Sequence, residues 1–420
     1  MFYKAESKEP EAKEPSHSGL SDFSFEFFVI RNDILQASKR KYKKLIEEIS
    51  GLNDTVEKAV LIGLMCERFN LSPQEIRSDF SEKQTRGVSI DNLEGANFPN
   101  LLDFAENDGK RQFVLLDFNQ DKDTVELSLD NFVSEDDKHF SPPSLPMSYL
   151  LPRTGQVARW FFEDDDKILF DNVIEYLKRF TNRPMSQLLI IAANIFVSYI
   201  EDHPDINNLS TVLFYGPPNT GKSQTGNAAI NISYRGISCM SFDDNKIFYY
   251  INNLMSAIFF DVDELWEKSV EAGFPDVLLG RHKKGAYVNR TLSNDGKPVV
   301  QQLNIFGATF AATQKAVEPA FMKNCIILKA PEAPGIYETP EPLSGLQLKE
   351  RITSWRGRMI CAETRLPDVE KPREVSESFW SLIKPLIQII QLISPVYMDY
   401  LTNELSALEN DKKQINEQDE

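Results

Sequence analysis

The sequence predicts an α/β core built on a parallel sheet and flanked by helical N-terminal and C-terminal segments, and three stretches carry that prediction. Residues 211–215, Thr-Val-Leu-Phe-Tyr, are an apolar run of strand length that passes into a glycine-rich turn and then a helix-compatible segment. Residues 257–262 form a second apolar run that ends among acidic residues. Further on, a hairpin pattern leads into a third apolar run that ends in Thr313 and Gln314.

The turn after the first strand is Gly216, Pro217, Pro218, Asn219, Thr220, Gly221, Lys222 and Ser223. It fits the template G-x-x-x-x-G-K-[ST] at every position. A strand, a glycine turn and a helix start aim several backbone N–H groups and a helix dipole at one point, where a polyphosphate can sit. In that template Lys222 reaches the β and γ phosphates of ATP, and the Ser223 hydroxyl holds Mg²⁺.

Length and composition bound the rest. A chain of 420 residues that is 41% hydrophobic can hold two or three domains with real cores. Its four cysteines, Cys66, Cys239, Cys325 and Cys361, stand far apart with no C-x-x-C pair, which suggests neither a disulfide framework nor a zinc site and suits a reducing compartment. The longest apolar run, residues 188–200, is broken by Asn194 and is too short to span a bilayer, so no membrane partner is expected. A net charge of −17 argues against general electrostatic coating of nucleic acid. It leaves room for a ring with a few cations at its pore.

Taken in order, residues 1–20 read as a mobile tail rich in Lys, Glu, Pro and Ser. Residues 21–105 hold a helical bundle, strongest over 33–82. Tyr42, Leu45, Ile46 and Ile49 share one face there, Asp54 with Glu57 starts a second helix, and Ser72, Pro73 and Glu75 start a third. Residues 106–150 give a β-hairpin, 113–116 with 124–129, and a proline linker. The acidic turn at Asp117, Asn119, Asp121 and Asp123 lacks the glycine and glutamate of a calcium loop, since Lys122 and Ser128 stand there. Residues 151–205 are a helical lead-in, and 206–332 the nucleotide core. Residues 333–402 read as a C-terminal helical lid region, with a helix over 347–359 whose Arg351, Arg356 or Arg358 either leans over a nucleotide or stands on an ordinary surface helix, and 403–420 as a frayed acidic tail.

A phosphate loop needs a second acidic group for Mg²⁺ and for polarising water. The run 257–264 supplies Asp261 for the metal, with Asp263 or Glu264 as the base. The register stays open. If the strand ends at Asp261 the next residue is Val262, and if it runs two residues on, Asp263 and Glu264 form the acidic pair. Next comes a basic cluster, Arg281, His282, Lys283 and Lys284, and then residues 286–292 and 298–303 flank Asp295-Gly296, a strong hairpin signal. A third strand over 304–312 follows and places Gln314 where a polar side chain senses the γ-phosphate.

The phosphate loop, the acidic strand end, the hairpin and the polar-ended strand occur in the order seen in superfamily 3 helicases, a branch of the AAA+ ATPases, and residues 185–395 resemble that family. Residues 278–288, with 366–367 and 379–386, look closer still to an ATPase domain of primase-like replication proteins of bacterial plasmids and phages. Residues 42–49 and 67–76 resemble the helical segment after the core of bacterial-type primases.

The resemblance implies an AAA+ core that binds ATP and Mg²⁺, with Gln314 as sensor. It implies a trans-acting arginine, for which Arg281 and Arg290 are the choices because Lys323-Asn324 precedes Cys325 where such families often carry arginine. It also implies DNA contacts from His282, Lys283, Lys284 and the hairpin-tip Lys297. The function it implies is an ATP-dependent helicase or translocase of a mobile element or virus. Such a protein works as a homo-oligomeric ring, by preference a hexamer, on single-stranded DNA or a fork, in the cytoplasm or, for a eukaryotic virus, the nucleus. A primase or other replication protein would dock on the N-terminal region. The alternative is a nucleotide-gated scaffold ATPase that recruits a replication or defence partner without unwinding. Gln314, where viral helicases commonly carry asparagine, leans toward that alternative.

Overall fold

The computed structural model describes residues 55–69, 92–94, 100–107, 110–119, 124–135, 138–143 and 149–418, apart from 243, 263, 295–296, 316–317, 332–334 and 336, together with Ile30, Leu45 and Ile49. The chain forms two compact units, Met1–Ile90 and Asp91–Glu420. In the first, helix α1 (Thr55–Phe69) starts beside the expected capping residues and buries Leu61 and Met65. Ile30, Leu45 and Ile49 are buried in helical backbone. The expected tail and the expected third helix at Ser72 lie outside the described residues.

The second unit begins with small sheets. Strand β1 (Asn92–Glu94) pairs with β6 (Lys138–Ser141), which also pairs with β5 (Val133–Glu135). The expected hairpin is real but belongs to a larger piece. β3 (Lys110–Asn119) and β4 (Thr124–Asp130) are joined by β2 (Leu101–Asn107) into an antiparallel meander.

The main sheet has five parallel strands in the order β13, β7, β12, β9, β8. They are β7 (Thr211–Tyr215), β8 (Ile237–Cys239), β9 (Ile258–Asp261), β12 (Thr309–Thr313) and β13 (Cys325–Lys329). Both faces are covered, which is why these strands read as continuous apolar runs rather than alternating ones. Val212, Phe214, Phe259, Phe310 and Leu328 face one core with α3 (Asp166–Lys178), α4 (Met185–Ser198) and α5 (Lys222–Asn231). Leu213, Phe260, Ala311 and Ile327 face the other, with α6 (Asp244–Leu254), α7 (Leu265–Glu271) and α8 (Pro275–Gly280). The run 188–200 is α4 and its exit, buried from Ser186 to Ser198. Helix α5 lies so close to β9 that a Cβ on Gly226 would come within 2.1 Å of the Phe259 ring.

The hairpin after α8 is β10 (Tyr287–Asn294) with β11 (Lys297–Asn304), and its register ends at Asn294 opposite Lys297. The run 304–312 was expected as one strand. Its first residues cross to the main sheet, where Thr309–Thr313 pair, and the short helix α9 (Pro319–Met322) then leads to β13.

Two expectations at the C-terminal side are overturned. Helix α10 (Pro342–Cys361), with Pro342 in its first turn, is no lid: Ile352 and Trp355 are buried. Its arginines are committed to the lead-in segment. Arg351 pairs with Asp164, Arg358 with Asp166, and Arg356 with Asp202 while also donating to the Leu101 carbonyl. Helix α2 (Thr154–Glu163), within the expected helical lead-in, packs on α10, and the Ser354 hydroxyl donates to the Val157 carbonyl at 2.8 Å. Beyond α11 (Glu377–Ile393), residues 403–418 are not a frayed tail either. They continue α12 (Met398–Gln418), which buries Leu401, Leu405, Leu408 and Ile415. Lys412 donates to the carbonyls of Lys323 and Cys325 at 2.9 Å, which anchors α12 beside β13.

Candidate functional site at the carboxyl ends of the parallel strands

The phosphate-loop sequence leaves the carboxyl end of β7 and closes as the first turn of α5. Its two template glycines are required by geometry. Gly221 has φ +78°, and a Cβ on Gly216 would meet the Ala330 Cβ at 2.5 Å. Local bonds hold the turn: Thr220 Oγ1 donates to the Pro217 carbonyl and Thr225 Oγ1 to the Gly221 carbonyl. The Lys222 ammonium bends back over the loop and donates to the carbonyls of Gly216 and Pro217 at 2.8 and 2.5 Å.

Asp261 is the last residue of β9, which settles the register left open by the sequence: the strand ends here, and buried Val262 follows. In the sheet, Ala312 of β12 pairs with Phe214 on one side and Asp261 on the other. The phosphate-loop strand and the acidic strand are therefore two strand spacings apart, about 10 Å. Ser223 spans the gap, donating to Asp261 Oδ1 at 2.8 Å. A hydroxyl and a carboxylate so placed are hard oxygen donors of the kind a divalent cation such as Mg²⁺ takes, and the ammonium lies over the loop, so the chemistry of these residues fits a Mg²⁺–nucleotide.

Glu264 follows in the left-handed conformation (φ 60°) at the start of α7. Its carboxylate is ion-paired with Lys315, and the hydrogen bond from that ammonium holds the carboxyl below its usual range. Lys315 carries a role the sequence reading missed, because nothing local links residues 264 and 315. Gln314, half-buried, directly follows β12 and so lies at the same sheet end, between the ends of β7 and β9. Asp263 lies outside the described residues. Ser223, Asp261, Glu264 and Gln314 are thus brought to one end of the sheet.

The basic cluster is not there. Arg281 is 1% exposed at the opposite, amino end of the strands. Its guanidinium donates to Thr309 Oγ1 at 2.8 Å and to the carbonyls of Ser256, Ile305 and Ala308. Burial lowers its pKa to about 10 against the opposing charge of Glu201, whose own carboxyl burial raises to about 7. A guanidinium spent on the starts of β9 and β12 is a core residue, which corrects its reading as a trans-acting arginine. Lys284 donates to the Asp202 and His203 carbonyls, and His282 Nδ1 lies 2.8 Å from the Leu279 carbonyl. The loop is stitched to residues 207–209 by backbone bonds, so these two side chains serve the fold, while Lys283 is exposed. Arg290 donates to the Gly273 carbonyl and stacks over Phe248 at 4.5 Å. Lys297 holds the last paired position of the hairpin.

A further cation escaped the sequence reading. Arg183, 3% exposed, donates to Gln187 and to the carbonyls of Leu328 and Lys329 and lies 4.9 Å over the Phe214 ring, just below the phosphate loop. Beside the loop, Glu338 is bound by Arg179, and its carbonyl accepts from Gln224. Among the described residues no three His, Cys, Asp or Glu side chains cluster as metal ligands, and no helix is long and apolar enough to cross a membrane.

No protein-family model matches the chain. No curated protein matches it. Among solved structures, that of JCV helicase with a bound acetamide compound aligns over 60% of this chain and 76% of its own, at 12% identity and a TM-score of 0.22. A likeness of that degree carries no argument about function.

Proposed function

We propose that this chain is a Mg²⁺-dependent ATPase whose turnover drives work on DNA, in the manner of a ring-forming replication helicase of a mobile element or virus. The observation that carries the reading is the Ser223–Asp261 hydrogen bond, which joins a complete phosphate-loop sequence to the acidic end of a second parallel strand. Bound Mg²⁺ would supply charge neutralisation at the phosphates. The chain's own residues do the remainder. The loop's backbone N–H groups and Lys222 hold and orient the phosphates, Ser223 and Asp261 furnish the metal's oxygens, and Glu264, or Asp263 next to it, takes the proton of the attacking water. Gln314 stands at the carboxyl end of β12 and β11 enters its amino end through residues 305–308, so β12 itself is the covalent link between the site and the β10–β11 hairpin, with Lys297 near its tip. The arginine that completes the site from a neighbouring subunit would be Arg290 or a residue not yet singled out.

A second reading is a nucleotide-gated scaffold that oligomerises and recruits a replication or defence partner through residues 21–140. The inward use of Lys284 and His282 favours it, because it removes part of the expected DNA-contacting surface. The steady-state ATPase rate with and without single-stranded DNA, with Lys222→Ala as the blank, separates the two. Turnover stimulated by DNA and abolished by the substitution supports the motor. Tight ATP binding with no DNA response leaves the scaffold.

A further inference from the structure

The last residue of β12, Thr313, is a junction between two parts of the site. Its carbonyl accepts the backbone N–H of Gly216, the first residue of the phosphate loop, at 3.3 Å. Its hydroxyl brackets Lys315 two residues on, donating to the Lys315 carbonyl at 2.9 Å and accepting the Lys315 N–H at 3.3 Å. Thr313 is buried and pairs with Tyr215 of β7, so the turn that carries Lys315 is fixed to the sheet. From that turn the Lys315 ammonium reaches the Glu264 carboxylate. Three contacts therefore lead from the phosphate loop to the base: Gly216 to Thr313, Thr313 to Lys315, and Lys315 to Glu264.

Two features at Glu264 call for a cause other than stability. Its φ of 60° is in the left-handed region, which a residue with a side chain seldom adopts and which recurs where function holds a residue in place. Its ion pair with Lys315 is about half exposed on both sides, where such a pair adds little to stability. What an ammonium in that place does is select a direction, because a glutamate side chain otherwise samples several staggered rotamers. Lys268, one turn along α7, adds charge near the carboxylate, and the hydrogen bond that sets its direction comes from Lys315. We propose that Lys315 is the positioning residue of the general base: it aims Glu264 at the attacking water, and Thr313 ties that aim to the phosphate loop, so that base and cradle keep one geometry. The inference rests on the phosphate-site reading above and deepens it by naming how the base is held.

The test is single-turnover hydrolysis of ATP with Mg²⁺ by the full chain, together with equilibrium displacement of a fluorescent ATP analogue, which also certifies that each variant is folded. Lys315→Met should slow hydrolysis about tenfold to 100-fold while ATP affinity stays within about twofold of the natural chain, and Lys315→Arg should recover most of the rate. Thr313→Val, which removes the hydroxyl and keeps the branched shape, should fall between the natural chain and Lys315→Met. In a Glu264→Gln background Lys315→Met should slow hydrolysis no further, because the carboxylate through which it acts is already gone. A Lys315→Met rate within about twofold of the natural chain overturns the proposal. Losses that multiply in the double variant, or an ATP affinity that falls along with the rate, also overturn it, since either puts Lys315 on the nucleotide instead of the base. A Thr313→Val variant as fast as the natural chain overturns the tie to the phosphate loop. Each of these outcomes leaves the phosphate site standing. Failure of ATP to displace the probe from the natural chain, or hydrolysis unchanged in Lys222→Ala, overturns the phosphate-site reading, and the proposal with it.

Discussion

Ser223 donates its hydroxyl proton to Asp261 Oδ1 at 2.8 Å, across the two strand spacings that separate β7 from β9. The bond couples the start of a helix to the end of a strand with only β12 between them. Ser223→Ala should leave nucleotide binding in EDTA unchanged and abolish the gain in affinity that Mg²⁺ brings. ATP affinity measured with and without Mg²⁺ checks this, and an intact Mg²⁺ effect would remove Ser223 from the metal site.

Glu264→Gln should bind ATP normally and hydrolyse it about 100-fold more slowly or worse, the usual loss when a positioned base is removed. Single-turnover hydrolysis with radiolabelled ATP reads this directly. A near-normal rate would move the role to Asp263.

Arg281→Met should unfold at lower denaturant with a loss of about 3 kcal/mol or more, because Glu201 and several carbonyls lose the cation they share. Turnover per folded molecule should be unchanged. A stable variant with lost turnover would return Arg281 to the catalytic list and undo its assignment to the core.

Glu201 gives the stability a pH dependence whose sign follows from burial. Its carboxyl is raised from 4.5 to about 7 in the folded chain, near Arg281, Asp202 and Arg356. The folded state therefore holds the proton more tightly. The resulting stabilisation is complete below pH 4.5 and is lost as pH rises toward about 7. The difference in unfolding free energy between the natural chain and Glu201→Gln should fall across that window and be flat above it. Urea titrations at half-unit pH steps measure it, and a flat difference throughout would contradict the assignment.

Leu405→Ala, in the segment whose composition suggests a tail, should cost about 2–5 kcal/mol, as for a buried leucine elsewhere. Chemical denaturation decides it. An effect within about 0.5 kcal/mol, the range of ordinary surface positions, would mean that α12 is not docked.

How much of this was legible depended on how local each cause was. The phosphate loop is written in eight consecutive residues, because glycine positions, lysine and hydroxyl all act within one turn. The buried strands and α4 were legible from apolar runs, since a sheet covered on both faces has no alternation to decode. Arg281 was misread because its partners are carbonyls at or just before the starts of strands, 24 or more residues away in sequence. A basic cluster looks the same whether it is solvated or buried. The arginines of α10 failed for the same reason, their counter-ions lying on the segment 164–202. Helix α12 was hidden by its acidic surface, although Leu401, Leu405 and Leu408 already keep a helical spacing.

The strand order has a consequence for how the chain is made. Among the described residues strand β7 pairs with β12 and β13 alone, both of which are synthesised after it. At translation speeds of roughly 5–20 residues per second, the strand bearing the phosphate loop waits on the order of 5–20 seconds for its first neighbour. During that interval Val212, Leu213 and Phe214 have no sheet to join, which makes the nascent polypeptide between residues 211 and 309 the stretch most in need of shielding on the ribosome.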